Sequence, residues 1–187
     1  NHQSISDVLN ILVLGGSQAA KSFGEILPNV FKKCIKNKIK IKIFQQCIEP
    51  QINKLKEEYE NLRIDYELFN FTNNILEYFS KVELVITRSG SSITAELINC
   101  RIPFISIPYP YATDGHQDKN AAYFEKKGYS FSIKEKDIDV KLFPLIKLIY
   151  SDKEILNKLI EKQKKHSDSD VFYKINNEVK NLINEQN

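Results

Sequence analysis

Hydrophobic and polar positions change period repeatedly along this chain. A short apolar run over 8–16 ends in two glycines and fits a buried parallel strand. Residues 22–37 take helical spacing, with Pro28 expected to break or restart the helix. Residues 40–46 alternate as a strand does, 50–61 read as a polar helix, and 63–70 as a third strand. An amphipathic helix over 73–81 leads into a fourth strand over 82–87. A helix over 92–100, a fifth strand over 103–108, a helix over 117–128 and a strand over 129–133 follow. From about 139 onward the sequence is helical and rich in Lys and Glu.

Strands that alternate with helices predict βαβ units with right-handed crossovers. The expected fold class is α/β, a Rossmann-like doubly wound parallel sheet covering 1–187 as one domain. Ligands of such sheets bind where the loops gather, at the carboxyl ends of the strands. Four loops fall there: "GGSQAAK" (15–21), "FNFTNN" (69–74), "TRSGSS" (87–92) and "YPYATDGHQ" (109–117).

Composition narrows the picture without deciding it. The hydrophobic fraction of 42% and charged fraction of 27% suit a globular protein, and a net charge of +3 is too small to point to nucleic acid. The basic residues are almost all lysine; the three arginines are Arg63, Arg88 and Arg101. Cys34, Cys47 and Cys100 lack CxxC spacing and read as thiols of a reducing compartment. No apolar run approaches the roughly 20 residues of a membrane span, and no signal peptide is expected. The chain starts at Asn1 and contains no methionine, as expected of a piece of a longer protein.

The glycine-rich turn "GGSQAAK" can aim backbone N–H groups and a helix N-terminus at a phosphate, or serve as a tight turn with Ser17 as helix cap. It matches neither GxGxxG nor GxxxxGK[ST]. "RSGSS" repeats the arrangement: Gly90 permits close backbone approach, and Ser91 and Ser92 can cap the helix. Ser92 and Glu96 stand four apart on one helix face. A carboxylate there can accept from the 2′ and 3′ hydroxyls of a ribose, or complement the helix N-terminus. In "DGHQDKNA" (114–121), Asp114 is an expected cap, and His116 is structural or ligand-facing. Gln117 and Asn120 suit sugar hydroxyls. No metal-ligating spacing and no Ser–His–acid arrangement is legible.

With these loops in order, the chain resembles the C-terminal, donor-binding half of the MurG family of GT-B glycosyltransferases. The resemblance rests on "GGSQAA" for GGSQGA, "RSGSS" with Glu96 for RSGA and a helix acid, and "DGHQDKNA" for DxHQxxNA. It implies transfer of N-acetylglucosamine from UDP-N-acetylglucosamine to lipid I, forming lipid II in peptidoglycan synthesis, by inverting displacement without a metal or other cofactor. It implies Gly16, Ser17 and Gln18 at the diphosphate and the Phe71–Thr72 backbone at the uracil edge. The segment Ser91, Ser92, Ile93, Thr94, Ala95 and Glu96 would touch phosphate and donor sugar, with Glu96 on the ribose. His116, Gln117 and Asn120 would lie by the sugar, and Arg88 would steady either its own loop or the diphosphate. The acceptor site, general base and membrane-contacting patch belong to an N-terminal domain whose motifs are absent from this sequence. The resemblance places the protein in the cytoplasm, peripheral to the inner face of the bacterial membrane. Ala19 and Ser91 depart from the family's glycine and alanine. Another UDP-sugar transferase, a stand-alone donor subunit and a non-catalytic nucleotide-sugar module remain alternatives.

Overall fold

Six strands lie parallel in the order β3-β2-β1-β4-β5-β6 in a computed structural model, which describes residues 7–166. They are β1 (Leu9–Leu14), β2 (Ile41–Gln46), β3 (Asp65–Phe69), β4 (Leu84–Thr87), β5 (Phe104–Ser106) and β6 (Phe131–Ser132). The seven helices described are α1 (Gly16–Lys36), α2 (Ile52–Asn61), α3 (Ile75–Phe79), α4 (Ser91–Asn99), α5 (His116–Lys127), α6 (Ile138–Ser151) and α7 (Glu154–Lys164). Strand order therefore reverses between β1 and β4, as the doubly wound expectation requires. The C-terminal helical expectation is met through α7; its continuation past 166 lies outside the described residues.

Two apolar layers explain why the sheet is buried on both sides. On one face Ile11, Val13, Ile43, Leu84, Ile86 and Ile105 meet Phe23, Leu27 and Phe31 of α1, Leu55 and Tyr59 of α2, and Leu142 and Ile146 of α6. On the other, Leu12, Phe44, Val85 and Phe104 meet Phe79 of α3 and Leu97 and Ile98 of α4, with Phe124 of α5 alongside. Buried parallel strands read as continuous apolar runs for this reason. Gln163 of α7 donates to Ile102 O at 3.0 Å and Tyr129 O at 2.8 Å, which pins this helix to the segments that follow α4 and α5.

The first helix corrects the sequence reading. It begins at Gly16 rather than 22 and runs unbroken through Pro28. A proline inside a helix costs about 3 kcal/mol. Fully buried Phe23 and Leu27 on one side of it, and Val30, Phe31 and Cys34 on the other, outweigh that cost.

Register aligns the carboxyl ends. Leu14 stands beside Thr87, Thr87 beside Ser106, and Gln46 beside Phe69. The loops after these residues consequently open on one edge of the sheet.

Candidate functional site

At that edge a cavity of about 540 Å³ forms around the β1/β4 switch point, a volume suited to a small ligand. Leu14, Phe69 and Thr87 line it from the strand ends, Phe71 from the β3–α3 loop, Ile75 from the start of α3, and Ser92, Ile93 and Glu96 from α4. Tyr109 and Gln117 line it from the far side. Glu96 is the single acidic side chain in the lining among the described residues. Among the described residues, no cluster of three His, Cys, Asp or Glu could hold a metal ion.

Two helix N-termini reach this cavity. Gly16 opens α1 with φ of 66°, and a Cβ there would meet no atom within 4 Å. Only glycine takes that backbone without strain, so the first turn can face open space. α4 starts after Gly90, and no side chain caps it. Neither Ser91 nor Ser92 fills the expected cap role. Orphan amides of a first helical turn are the groups that hold anions.

Of the residues expected from sequence, Gly16, Phe71, Thr72, Arg88, Ser92, Ile93, Glu96 and Gln117 come together in the lining. Ser91, Thr94 and Ala95 do not line it. Successive helical side chains turn by about 100°, so 92, 93 and 96 share a side that 91, 94 and 95 leave. Thr94 is buried, and its hydroxyl donates to Gly90 O at 2.7 Å. Ser17 and Gln18 belong to α1, but their side chains lie outside the described residues.

His116 and Asn120 also stand back from the cavity. His116 is exposed, with Nδ1 2.7 Å from Thr113 O. Asn120 Nδ2 donates to Ser89 O at 3.0 Å. Gln117 Oε1 accepts from Ser89 N at 3.2 Å and Tyr109 N at 2.9 Å. Thus α5 braces the two loops beside it. Asp114 does not cap α5: it sits at φ 52° in the preceding turn, and Gly115 precedes the helix.

Arg88 ties its loop to neighbouring elements while also lining the cavity. Its guanidinium donates to Ile107 O and Pro108 O, both at 3.2 Å, and to Ser22 Oγ at 2.6 Å, and it pairs with Glu135 Oε2. It lies over the Phe23 ring at 4.3 Å. The residue is 5% exposed, and burial pulls its pKa down while Glu135 opposes the shift. Arginine stays charged through such a shift. Its Nη1 and Nη2 groups donate to the fold, whereas buried Nε has no hydrogen-bond partner among the described residues.

Sequence reading missed Gln46, Tyr109, Ser22 and Glu135. Gln46 ends β2 with its side chain in the lining; Oε1 accepts from Gly16 N at 3.1 Å and Nε2 donates to Asn70 O at 3.2 Å. Its position at a strand's carboxyl end was the available signal.

The glycosyltransferase family 28 C-terminal domain matches residues 10–179. The chain is 36% identical over 181 residues to the Pelagibacter ubique (strain HTCC1062) UDP-N-acetylglucosamine--N-acetylmuramyl-(pentapeptide) pyrophosphoryl-undecaprenol N-acetylglucosamine transferase, covering 96% of this chain and 50% of that protein. A protein of the same name from Wolbachia sp. subsp. Drosophila simulans (strain wRi) is 37% identical, over 78% of this chain and 44% of its own length. Among solved structures, Acinetobacter baumannii MurG superposes with a TM-score of 0.77 at 24% identity, covering 89% of this chain and 50% of that one. The chain spans about half the length of the curated relatives it matches.

Proposed function

The chain belongs to the glycosyltransferase family 28 C-terminal domain family, and from that premise we propose that it is the donor half of an inverting glycosyltransferase that takes UDP-N-acetylglucosamine. One observation carries this reading: the switch-point cavity joins the N-termini of α1 and α4, whose cap residues Gly15 and Gly90 carry no side chain, to the one carboxylate of its described lining.

The diphosphate lies against the first-turn amides of α4 and those of α1 that follow Gly16, where backbone N–H groups and the helix dipoles meet negative charge. Glu96 receives the ribose hydroxyls, the Phe71–Thr72 backbone meets the uracil edge, and Gln117 reaches the sugar. An acceptor hydroxyl attacks the sugar C1 from the face opposite the diphosphate. The C1–O bond to UDP breaks, and its electron pair goes to the departing phosphate. Fixed N–H groups stabilise that growing charge, the role preorganised donors play in catalysis.

The acceptor is the lipid-linked muramyl pentapeptide, held with the general base on an N-terminal domain docked at the cytoplasmic membrane face. No helix of the described residues is long and apolar enough to cross a membrane. Donor recognition and the amide-lined diphosphate site are thereby assigned to this chain, and deprotonation of the acceptor to the other half.

Calorimetric titration tests the reading. The purified chain is expected to bind UDP and UDP-N-acetylglucosamine, and to bind UDP-glucose more weakly than the latter. It forms no lipid II until an acceptor-binding half is added. Failure to bind either UDP ligand would overturn the proposal.

A further inference from the structure

We propose that Gln46 is a positioning residue that fixes the spacing between the loop after β1 and the loop after β3, so that a ligand touching both binds more tightly than its parts predict. The inference rests on the donor-site reading above and adds a residue to which no role has yet been given.

The geometry is specific to one amide. Gln46 ends β2, and β2 lies between β1 and β3 in the sheet. From there its side chain reaches both neighbouring loops. Oε1 accepts the Gly16 amide at 3.1 Å, the first N–H of α1, and Nε2 donates to Asn70 O at 3.2 Å, one residue before Phe71. Gln46 is also one of the residues that line the cavity, so the bridge lies at the ligand space. An amide carries donor and acceptor together, and no other neutral side chain of this length offers both.

Two consequences follow from that bridge. Gly16 has φ of 66°, so the backbone of this turn carries no side chain to hold it, and Gln46 supplies the missing tether. The two loops are expected to meet opposite ends of a nucleoside diphosphate, the base at one and the phosphates at the other. Binding a spanning ligand to loops already spaced costs less ordering entropy than binding it to loops that drift apart.

The test compares ligands that touch one loop with a ligand that touches both. Uridine, inorganic pyrophosphate and UDP are titrated into wild-type chain, Gln46→Met and Gln46→Asn. Met keeps the length without donor or acceptor. Asn keeps the amide but is one methylene too short to bridge, and it guards against a folding failure of the Met variant. Both variants are expected to bind UDP roughly ten-fold more weakly, the loss of one or two hydrogen bonds. Uridine and pyrophosphate, each touching one loop, should change by less than about three-fold, well short of the loss for UDP.

Equal weakening of all three ligands, or no selective loss of UDP, overturns the inference while the donor-site reading stands. A wild-type chain that binds no UDP overturns that reading, and the inference with it.

Discussion

Glu96 stands one helical turn past Ser92 on α4, exposed at the rim of the cavity. A carboxylate in that position accepts two hydroxyl hydrogen bonds if a ribose sits beside it, and charge-assisted bonds of this kind are worth about 1.5–3 kcal/mol. Water competes at an exposed rim, so Glu96→Ala is expected to weaken UDP on the order of ten-fold. Deoxy ligands identify the contact. Wild type should discriminate against 2′-deoxy-UDP, and Glu96→Ala should bind it about as well as UDP. Undiminished discrimination in the variant would remove Glu96 from the ribose. Several residues of this site were legible as single letters, since glycine at a strand end and an acid one turn into a helix each have few physical reasons to be there. Thr94 and Ala95 were not distinguished from Glu96 by the motif, because only the helix phase separates 92, 93 and 96 from their neighbours. Gln117 carries a role hidden from sequence: its amide oxygen is engaged by Ser89 and Tyr109 backbone N–H groups.

Among the elements, Arg88 binds four parts of the chain together. Ser22 comes from α1, Ile107 and Pro108 follow β5, and Glu135 precedes α6. Their side chains are 6% exposed for Arg88 and 21% for Glu135, so removing one partner leaves a charge with little water to hold it. Arg88→Met is therefore expected to destabilise the fold by about 3–5 kcal/mol. Glu135→Gln, which keeps an acceptor, should cost about 1–3 kcal/mol. Urea unfolding of both variants checks this, and a loss under about 0.5 kcal/mol for Arg88→Met would contradict the strut. Strands and helices were read correctly in kind and order because burial on both faces, or on one, writes a period into the sequence. The Arg88–Glu135 pair left no such trace, since it joins residues 47 apart. The early start of α1 was illegible for a different reason. Residues 16–21 are small or polar, and their helix is carried by the apolar face that begins at Phe23.

At the scale of the whole molecule, the sheet reverses its order between β1 and β4, and that reversal creates the crevice where the loops converge. The cavity, the two helix starts at Gly16 and Ser91, and Glu96 all lie there. Other grooves lie elsewhere, including one on α6 formed by Phe143, Pro144, Lys147, Leu148 and Ser151. That groove has no acid in its lining and no helix start. Location of the donor is therefore the central claim, and amide NMR of the labelled chain titrated with UDP in excess chelator tests it most directly. The account predicts saturable shifts confined to the amides of Gly15 and Gly16, Phe71 and Thr72, and Gly90 through Ile93, without any added divalent ion. Shifts centred on the α6 groove, or shifts that arise only once magnesium is restored, would contradict it.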